Sequence, residues 1–260
     1  HRRQRQMCIR DRFNTIETLE NAKKIKSWFI ENICEEAIPN HFIAISNNIE
    51  GPKDFGIYSK NILSIPEWVG GRFSLWGSVG LIISICIGYK NFEKFLSGAR
   101  DMDEHFRESP FKKNIPVILA LISIWYNNFF KCETEAVIPY NQFLSKLPDY
   151  LQQASMESNG KSIDRDGNKI DYETGSIIWG STGTNAQHAF FQLMHQGTKL
   201  IPADFIAFVE PLNDNYEQHK ILNANFLAQI NALLVGSNKS GNDIHKNIEG
   251  NKPSNSILIN

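Results

Sequence analysis

Cysteine is scarce in this 260-residue chain, which carries only Cys8, Cys34, Cys86 and Cys132. They form no Cys-x-x-Cys pair, and no Cys/His spacing typical of a metal site occurs. Secreted domains held by disulfides and structural zinc sites both depend on such patterns. The sequence therefore predicts neither a disulfide framework nor a bound metal, and it favours a reducing cytoplasm as the compartment.

Long uninterrupted apolar runs are also lacking. The two most apolar stretches are 75–89, which contains three glycines, and 114–130, which contains Pro116, Asn127 and Asn128. A membrane-spanning helix needs roughly 20 consecutive apolar residues. We therefore predict that both stretches are buried helices and that the protein has no membrane partner.

An excess of charge of either sign is absent, since 27 Lys and Arg face 28 Asp and Glu. This balance gives no indication of a nucleic-acid partner.

Arginine is nevertheless concentrated, because five of the nine arginines lie in residues 1–12. Such a basic arm can bind nucleic acid. However, Met7-Cys-Ile-Arg-Asp-Arg12 resembles translated sequencing adapter, so we interpret residues 1–12 as a non-native leader.

Hydrophobic periodicity predicts alternating helices and strands along the rest of the chain. The predicted helices, besides the two apolar stretches, cover 14–32, 92–106, 141–158, 185–195 and 216–234, and the predicted strands cover 41–46, 134–140, 175–179, 200–209 and 256–259. Alternation of this kind is typical of a parallel sheet with helices on both faces. We predict an α/β fold, a three-layer α-β-α sandwich with a mainly parallel sheet.

Three separated motifs carry the strongest functional signal. They are Trp68-Val-Gly-Gly-Arg-Phe-Ser-Leu-Trp76, then Met156-Glu-Ser-Asn-Gly-Lys161, then the run from Gly175 to Gly197 that contains Gly180-Ser-Thr-Gly-Thr-Asn185. The last loop lacks the lysine of a P-loop, the third glycine of a dinucleotide fingerprint and the spacing of a nucleophile elbow. In this order the three motifs resemble the glucose-6-phosphate isomerase family, and the resemblance runs from about Phe13 to Asn260.

The resemblance implies a cytoplasmic enzyme of glycolysis and gluconeogenesis, which interconverts glucose 6-phosphate and fructose 6-phosphate through a cis-enediol. It implies no metal and no organic cofactor. It also implies that residues 13–85 are the C-terminal part of a smaller sugar-isomerase (SIS) domain and that residues 86–260 belong to a larger one. The family's N-terminal sugar-phosphate loop and its catalytic lysine have no counterpart in residues 13–260, so we expect this chain alone to be inactive.

Glu157 and His188 match the family's proton-transfer residues. A carboxylate such as Glu157 can take and return one proton on the same face of an enediol. Histidine titrates near neutrality, so His188 can open the sugar ring as an acid. In the family this histidine acts in the partner's site, which implies a homodimer. Outside the family motifs, Glu157 would be interpreted as a surface residue and His188, like His195 on the same predicted helix face, as a structural one.

Three further residues match substrate-binding positions. Arg72 corresponds to the arginine beside the enediolate, and Gln153, one helical turn before Glu157, to a substrate-binding glutamine. Thr15 aligns with the last position of the family's phosphate loop, where hydroxyls and helix N-terminal amides hold the phosphate. Residues 10–12 and Asn14 depart from that loop. Without the resemblance, Arg72 and Gln153 would be ordinary surface residues.

Two other interpretations remain open at this stage. A non-catalytic phosphosugar-binding module would need no proton-transfer pair, so the presence of Glu157, His188 and Arg72 together argues against it. A structural protein whose helices only assemble a dimer would have no affinity for sugar phosphates.

Overall fold

The computed structural model describes residues 15–237 and 244–260. The leader predicted over residues 1–12 lies outside the described residues. The chain divides into two compact units, His1–Glu108 and Ser109–Asn260. The domain boundary predicted after residue 85 stays a prediction.

The first unit is mainly helical around a small parallel sheet. Its helices are α1 (Ile16–Asn32), α2 (Ile38–His41), α3 (Glu50–Asp54), α4 (Leu81–Ile87) and α5 (Tyr89–Glu108). 3₁₀ turns lie at Glu35–Ala37, Ser59–Asn61, Gly71–Trp76 and Ser78–Gly80. Its strands are β1 (Ala44–Ile45) and β2 (Ile62–Leu63). The two strands pair in parallel. Phe29 of α1 is buried, and its ring meets Phe42 edge to face at 5.3 Å. This contact ties α1 to the segment that leads into β1.

Two predictions for the first unit are wrong in part. The strand predicted over 41–46 forms only at Ala44–Ile45. The apolar stretch 75–89 is not one buried helix, because 3₁₀ turns precede α4 and the side chains of Ile82 and Ile85 are 63% and 66% exposed. Apolar composition sets the driving force for burial, but it does not determine which side of a short helix is covered.

The second unit contains a four-stranded sheet with helices on both faces. Its helices are α6 (Ile115–Phe129), α7 (Leu147–Leu151), α8 (Gly183–Gln187), α9 (Phe191–Gln196) and α10 (Tyr216–Val235). A π-helix covers Gln152–Glu157, and 3₁₀ turns cover Phe111–Lys113, Gln142–Leu144 and Ile244–Lys246. Its strands are β3 (Thr134–Pro139), β4 (Ile177–Gly180), β5 (Ala203–Phe208) and β6 (Ser254–Ile259). The strand order is β4-β3-β5-β6, and every pair is parallel. The predicted α/β sandwich is confirmed.

Alternate residues of the strands form two cores, one on each face of the sheet. On the first face, Ile138 and Phe205 pack with Phe226 of α10. On the second face, Val137 and Ile178 pack with Met156 of the π-helix. Both faces of β3 are therefore buried, which explains its nearly continuous apolar sequence.

The helix α6 forms where the sequence predicted it, but the predicted burial is wrong. Leu121, Ile124, Trp125 and Phe129 expose between 53% and 71% of their surface. Hydropathy alone cannot distinguish a helix covered all round from one packed on a single side. Among the described residues, no helix has the length and apolarity that crossing a membrane requires.

Candidate active site

Glu157 is the last residue of a π-helical segment, and residues 158–159 complete the helix. The helix predicted over 141–158 is divided into a 3₁₀ turn, α7 and the π-helix Gln152–Glu157. A π-helix contains an extra residue per turn and is frequent at functional sites. It is held against the sheet by Met156 in the second core and by Gln152, whose Nε2 donates to the Ile178 carbonyl at 3.0 Å. Sequence periodicity contains no signal for this distortion, which depends on the contacts with β4.

The residues that follow Glu157 cap its helix. The Gly160 N–H donates to the Met156 carbonyl at 2.7 Å. The Lys161 ammonium donates to the carbonyls of Glu157 and Ser158 at 2.6 and 3.0 Å. The Met-Glu-Ser-Asn-Gly-Lys motif thus satisfies its own terminal carbonyls. The backbone that carries Glu157 is fixed, while its side chain is half-buried and Gln153 lies exposed.

His188 follows the short helix α8 and begins a turn. Its N–H donates to the Asn185 carbonyl at 3.1 Å, and its side chain is exposed. The continuous helix predicted over 185–195 is wrong, since residues 188–190 form a turn before α9. Phe190 in this turn packs edge to face on Trp179 at 4.6 Å.

His188 and His195 therefore do not share one helix face. The Nε2 atom of His195 lies 2.8 Å from Oε1 of Gln229 on α10, and its ring packs edge to face on Phe191. These contacts agree with the structural role that we expected for His195. His188 forms no side-chain hydrogen bond with the residues that the structure describes.

Two glycines allow the loop before His188 to approach β3. Gly180 has φ of +154°, and a Cβ atom there would lie 1.9 Å from the Val137 carbonyl oxygen. A Cβ atom on Gly183 would lie 2.2 Å from the ring of Tyr140. A side chain at either position would force its neighbour to move, the β3 backbone at Gly180 and the Tyr140 ring at Gly183. The loop is thus held at the carboxyl end of β3.

The other predicted residues, Arg72 and Thr15, belong to the first unit. Arg72 lies in the 3₁₀ turn Gly71–Trp76, is half-buried, and has its guanidinium carbon 5.2 Å from the Phe73 ring centroid. Thr15 is the N-cap residue of α1, and its carbonyl accepts from the Leu19 N–H at 2.9 Å. The rest of the predicted phosphate loop lies outside the described residues. Their roles stay predictions.

The second unit places Gln153, Glu157 and His188 on segments that β4 supports. The π-helix contacts Ile178 within β4, and the loop leading to His188 leaves from Gly180 at the end of that strand. A half-buried carboxylate and an exposed imidazole can both exchange protons with a bound molecule. The catalytic roles of these residues stay predictions.

A second polar cluster, which the sequence analysis missed, lies at the amino end of the sheet. Glu135 and Asp204 hydrogen bond to each other. Ser123 donates to Glu135 at 3.1 Å and Asn255 donates to Asp204 at 2.7 Å. The group adjoins a cavity of about 110 Å³. The signal in the sequence was the acidic second residue of β3 and of β5, each followed by apolar residues.

The carboxyl groups of this pair titrate abnormally. Burial, and then repulsion from Asp204, raises the pKa of Glu135 to about 7. Burial likewise raises the pKa of Asp204, against the hydrogen bonds from Asn255 and Glu135. Tyr126 is the other titratable residue around the cavity, whose described lining contains no Lys, Arg or His. Because no cation compensates two adjacent charges, the pair binds a proton at higher pH than two separate carboxyl groups would.

Comparison with known proteins identifies relatives of the whole described chain. The sequence model of the family described as phosphoglucose isomerase matches residues 6–260. The glucose-6-phosphate isomerase of Christiangramia forsetii is 54% identical over 270 residues, which cover 97% of this chain and 50% of that protein. That of Wigglesworthia glossinidia brevipalpis is 50% identical and covers 95% and 48%.

A solved structure shows the same fold. The crystal structure of a glucose-6-phosphate isomerase from Chlamydia trachomatis superposes with a TM-score of 0.86 at 33% identity, over 95% of this chain and 48% of that one. The chain thus spans about half the length of the relatives that it matches.

Proposed function

This chain belongs to the phosphoglucose isomerase family, and from that premise we propose that it carries part of the active site of a glucose-6-phosphate isomerase. The proposed reaction interconverts glucose 6-phosphate and fructose 6-phosphate in glycolysis and gluconeogenesis, in the cytoplasm. The observation that carries the proposal is the end of the π-helix. There, Lys161 of the same motif bonds to the Glu157 carbonyl and holds the backbone, while the Glu157 side chain is half-buried.

Glu157 is the proposed base. Its carboxylate takes the proton from C2 of the open-chain aldose, which leaves a cis-enediolate, and returns that proton to C1. Because one group performs both transfers on one face, it needs a fixed position. The hydrogen bonds from Lys161 to the carbonyls of residues 157 and 158 support this requirement.

His188 is the proposed ring-opening acid. Its imidazolium gives a proton to the ring oxygen, and the imidazole then takes the proton of the C1 hydroxyl, so that no net proton is consumed. Arg72 is proposed to stabilise the enediolate charge. Gln153 is proposed to bind the sugar hydroxyls, and Thr15 to bind the phosphate. No metal or organic cofactor is part of this scheme.

We propose that the working form is a homodimer in which His188 completes the partner's site. The exposed imidazole, without a side-chain partner among the described residues, is compatible with a role outside its own subunit. The assignment of residues 13–85 and 86–260 to a smaller and a larger sugar-isomerase domain is likewise proposed. This chain matches about half of its relatives' length, so we expect it to be inactive alone.

The test uses a completed protein, in which this chain replaces the matched segment of the Christiangramia forsetii relative. We expect the completed protein to convert fructose 6-phosphate to glucose 6-phosphate, followed by a coupled dehydrogenase assay. The 260-residue chain assayed in parallel should show no turnover above background. Sugar-phosphate binding by a folded completed protein without turnover would instead support a non-catalytic phosphosugar-binding module, and would contradict the proposed function.

A further inference from the structure

We propose that Tyr140, Asn225 and Gln187, here called the Tyr140 network, position His188 for ring opening. The proposal rests on the ring-opening role of His188 proposed above, and it assigns three positioning residues to that step. None of the three is proposed to touch the substrate.

The hydrogen bonds of the Tyr140 network run in one direction. The Tyr140 hydroxyl donates to Oδ1 of Asn225 at 3.1 Å. Nδ2 of Asn225 donates to Oε1 of Gln187, also at 3.1 Å. Each donor therefore faces an acceptor, which is the arrangement that a stable amide orientation requires. The last member is the residue directly before His188.

The network begins on rigid parts of the second unit. Tyr140 follows β3, is 2% exposed, and donates its backbone N–H to the Ile206 carbonyl of β5 at 2.7 Å. Its ring meets Phe226 edge to face at 5.3 Å, and Asn225 is the neighbouring residue on α10. Burial raises the pKa of Tyr140, so its hydroxyl remains protonated and can donate across the physiological range.

Tyr140 holds both ends of α8. Its ring lies against Gly183, the first residue of the helix, so closely that a Cβ atom would be 2.2 Å away. Its hydroxyl acts through Asn225 on Gln187, the last residue. A helix of five residues has little intrinsic stability. Its place and rotation must therefore come from such tertiary contacts, and the position of the His188 backbone depends on them.

The expected signature is selective for ring opening. A misplacement of about 1 Å at a reacting group can cost on the order of 100-fold in rate. Tyr140→Phe removes the hydrogen bond to Asn225 and disturbs His188 only indirectly, so the rate should fall by less than that. We expect roughly tenfold slower ring opening for this variant. The step that Glu157 performs on an open-chain sugar should remain within about twofold, because the π-helix has separate support.

The two steps can be measured separately in the completed protein. Ring opening is followed by NMR as exchange between the ring anomers of fructose 6-phosphate. Proton abstraction is followed as hydrogen exchange at C2 of a four-carbon aldose phosphate, which has no free hydroxyl positioned to close a ring. A parallel loss in both measurements, or a loss in neither, overturns the proposal.

Gln187 supplies variants that leave the buried tyrosine intact. Gln187→Ala removes the acceptor and should slow ring opening selectively, whereas Gln187→Glu keeps an acceptor oxygen toward Asn225 and should restore most of the rate. Gln192→Ala is the matched control, because Gln192 is an exposed glutamine on α9 that bonds to Gln196. Failure of the glutamate variant to exceed the alanine variant would contradict a positioning role.

A double variant tests whether the effect passes through His188. In a His188→Ala background, Tyr140→Phe should slow ring opening no further, because coupled residues are not additive. An additional tenfold loss there would overturn the proposal. If the unsubstituted completed protein folds but does not isomerise, the proposed function fails; if it isomerises and the variants are unselective, only the Tyr140 network fails.

Discussion

The two ends of the sheet in the second unit carry different kinds of polar group. At the amino end, Glu135 and Asp204 face each other beside a small cavity, and burial raises the pKa of both. At the carboxyl end, the loop after β4 presents His188 on an exposed turn, supported by a hydrogen-bonded network from Tyr140. Burial at the amino end raises the pKa of two carboxyl groups, whereas hydrogen bonds at the carboxyl end hold the residue before His188.

If the proposed function is correct, a shifted pKa alone does not identify the active site of this protein. Perturbed carboxyl groups are enriched at functional sites, but buried structural pairs produce the same shifts. The family resemblance assigns proton transfer to Glu157 and His188, and to neither member of the amino-end pair. Proton transfer to a substrate needs a reachable group at a defined position, which the carboxyl-end loop and the π-helix offer.

Replacing one carboxylate of the proposed site and one of the amino-end pair gives the largest expected contrast. In the completed protein, Glu157→Gln should lower kcat on the order of 10²–10⁴-fold, because the amide cannot accept the C2 proton. Glu135→Gln should leave kcat within about twofold, since the amino-end pair has no role in the proposed reaction. Both are measured in the coupled assay. Substantial C2 hydrogen exchange with solvent in Glu157→Gln would remove the base role, and a large loss in Glu135→Gln would reverse the comparison.

Subunit mixing sharpens the assignment of His188. If His188 acts in the partner's site, mixing inactive His188→Ala with inactive Glu157→Gln creates one intact site in each heterodimer. Random pairing makes half of the dimers mixed, so roughly a quarter of the unsubstituted activity should return. Mass spectrometry of size-tagged subunits confirms exchange. With exchange established, no recovery would mean that both residues serve one subunit's site.

The loop that leads to His188 should depend sterically on Gly180. Gly180→Ala places a Cβ atom against the Val137 carbonyl at positive φ, and we expect a loss of about 2–4 kcal/mol in the free energy of unfolding. Gly167→Ala is the control, because Gly167 has φ of +91° but a Cβ atom there would meet no atom within 4 Å, so only about 1 kcal/mol is expected. Urea unfolding of the 260-residue chain measures both. Equal losses would show that the close approach to β3 carries no extra cost.

The amino-end pair should affect stability through pH, with a smaller effect. The folded-state pKa of Glu135 is raised from 4.5 to about 7, so the folded chain keeps a proton that the unfolded chain releases. This contribution is present below the unfolded pKa and is lost as the pH rises toward 7. We expect the pair to make the chain about 1–2 kcal/mol less stable at pH 8 than at pH 5, after allowance for partial exposure.

Glu135→Gln tests this expectation directly. The glutamine amide can donate to Asp204 and still accept from Ser123, so the variant should be more stable than the unsubstituted chain at pH 8 and should vary less with pH. Glu133→Gln is the control, since Glu133 is exposed just before β3. Urea midpoints at several pH values give the comparison. An unchanged pH dependence in Glu135→Gln would show that the pair does not hold a proton.

Sequence patterns predicted best the two strands that are buried on both faces and the longest helix of the second unit. Strands β3 and β5 and helix α10 lie within a residue or a few of their predicted bounds, because continuous apolar runs and long helical periodicity leave few alternatives. The same patterns failed at the site. The turn at residues 188–190 packs on Trp179, and the π-helix ending at Glu157 bonds to Ile178. A local sequence pattern contains neither contact.

Burial was predicted less well than element type. The apolar side chains of α4 and α6 are largely exposed, because composition reports how strongly a helix favours burial and not which neighbours cover it. The paired carboxyls were missed for a related reason. Glu135 and Asp204 lie far apart in sequence and meet only because β3 and β5 are adjacent in the sheet.

The sequence by itself determined the family, the α/β architecture and the residue types available for proton transfer, since motifs and periodicity are local properties of the chain. Only the tertiary structure decided that α8 is short, that Tyr140 and Asn225 contact its two ends, and that two acidic residues meet at the opposite end of the sheet. These features depend on strand order and register, through which residues distant in sequence come within hydrogen-bonding distance.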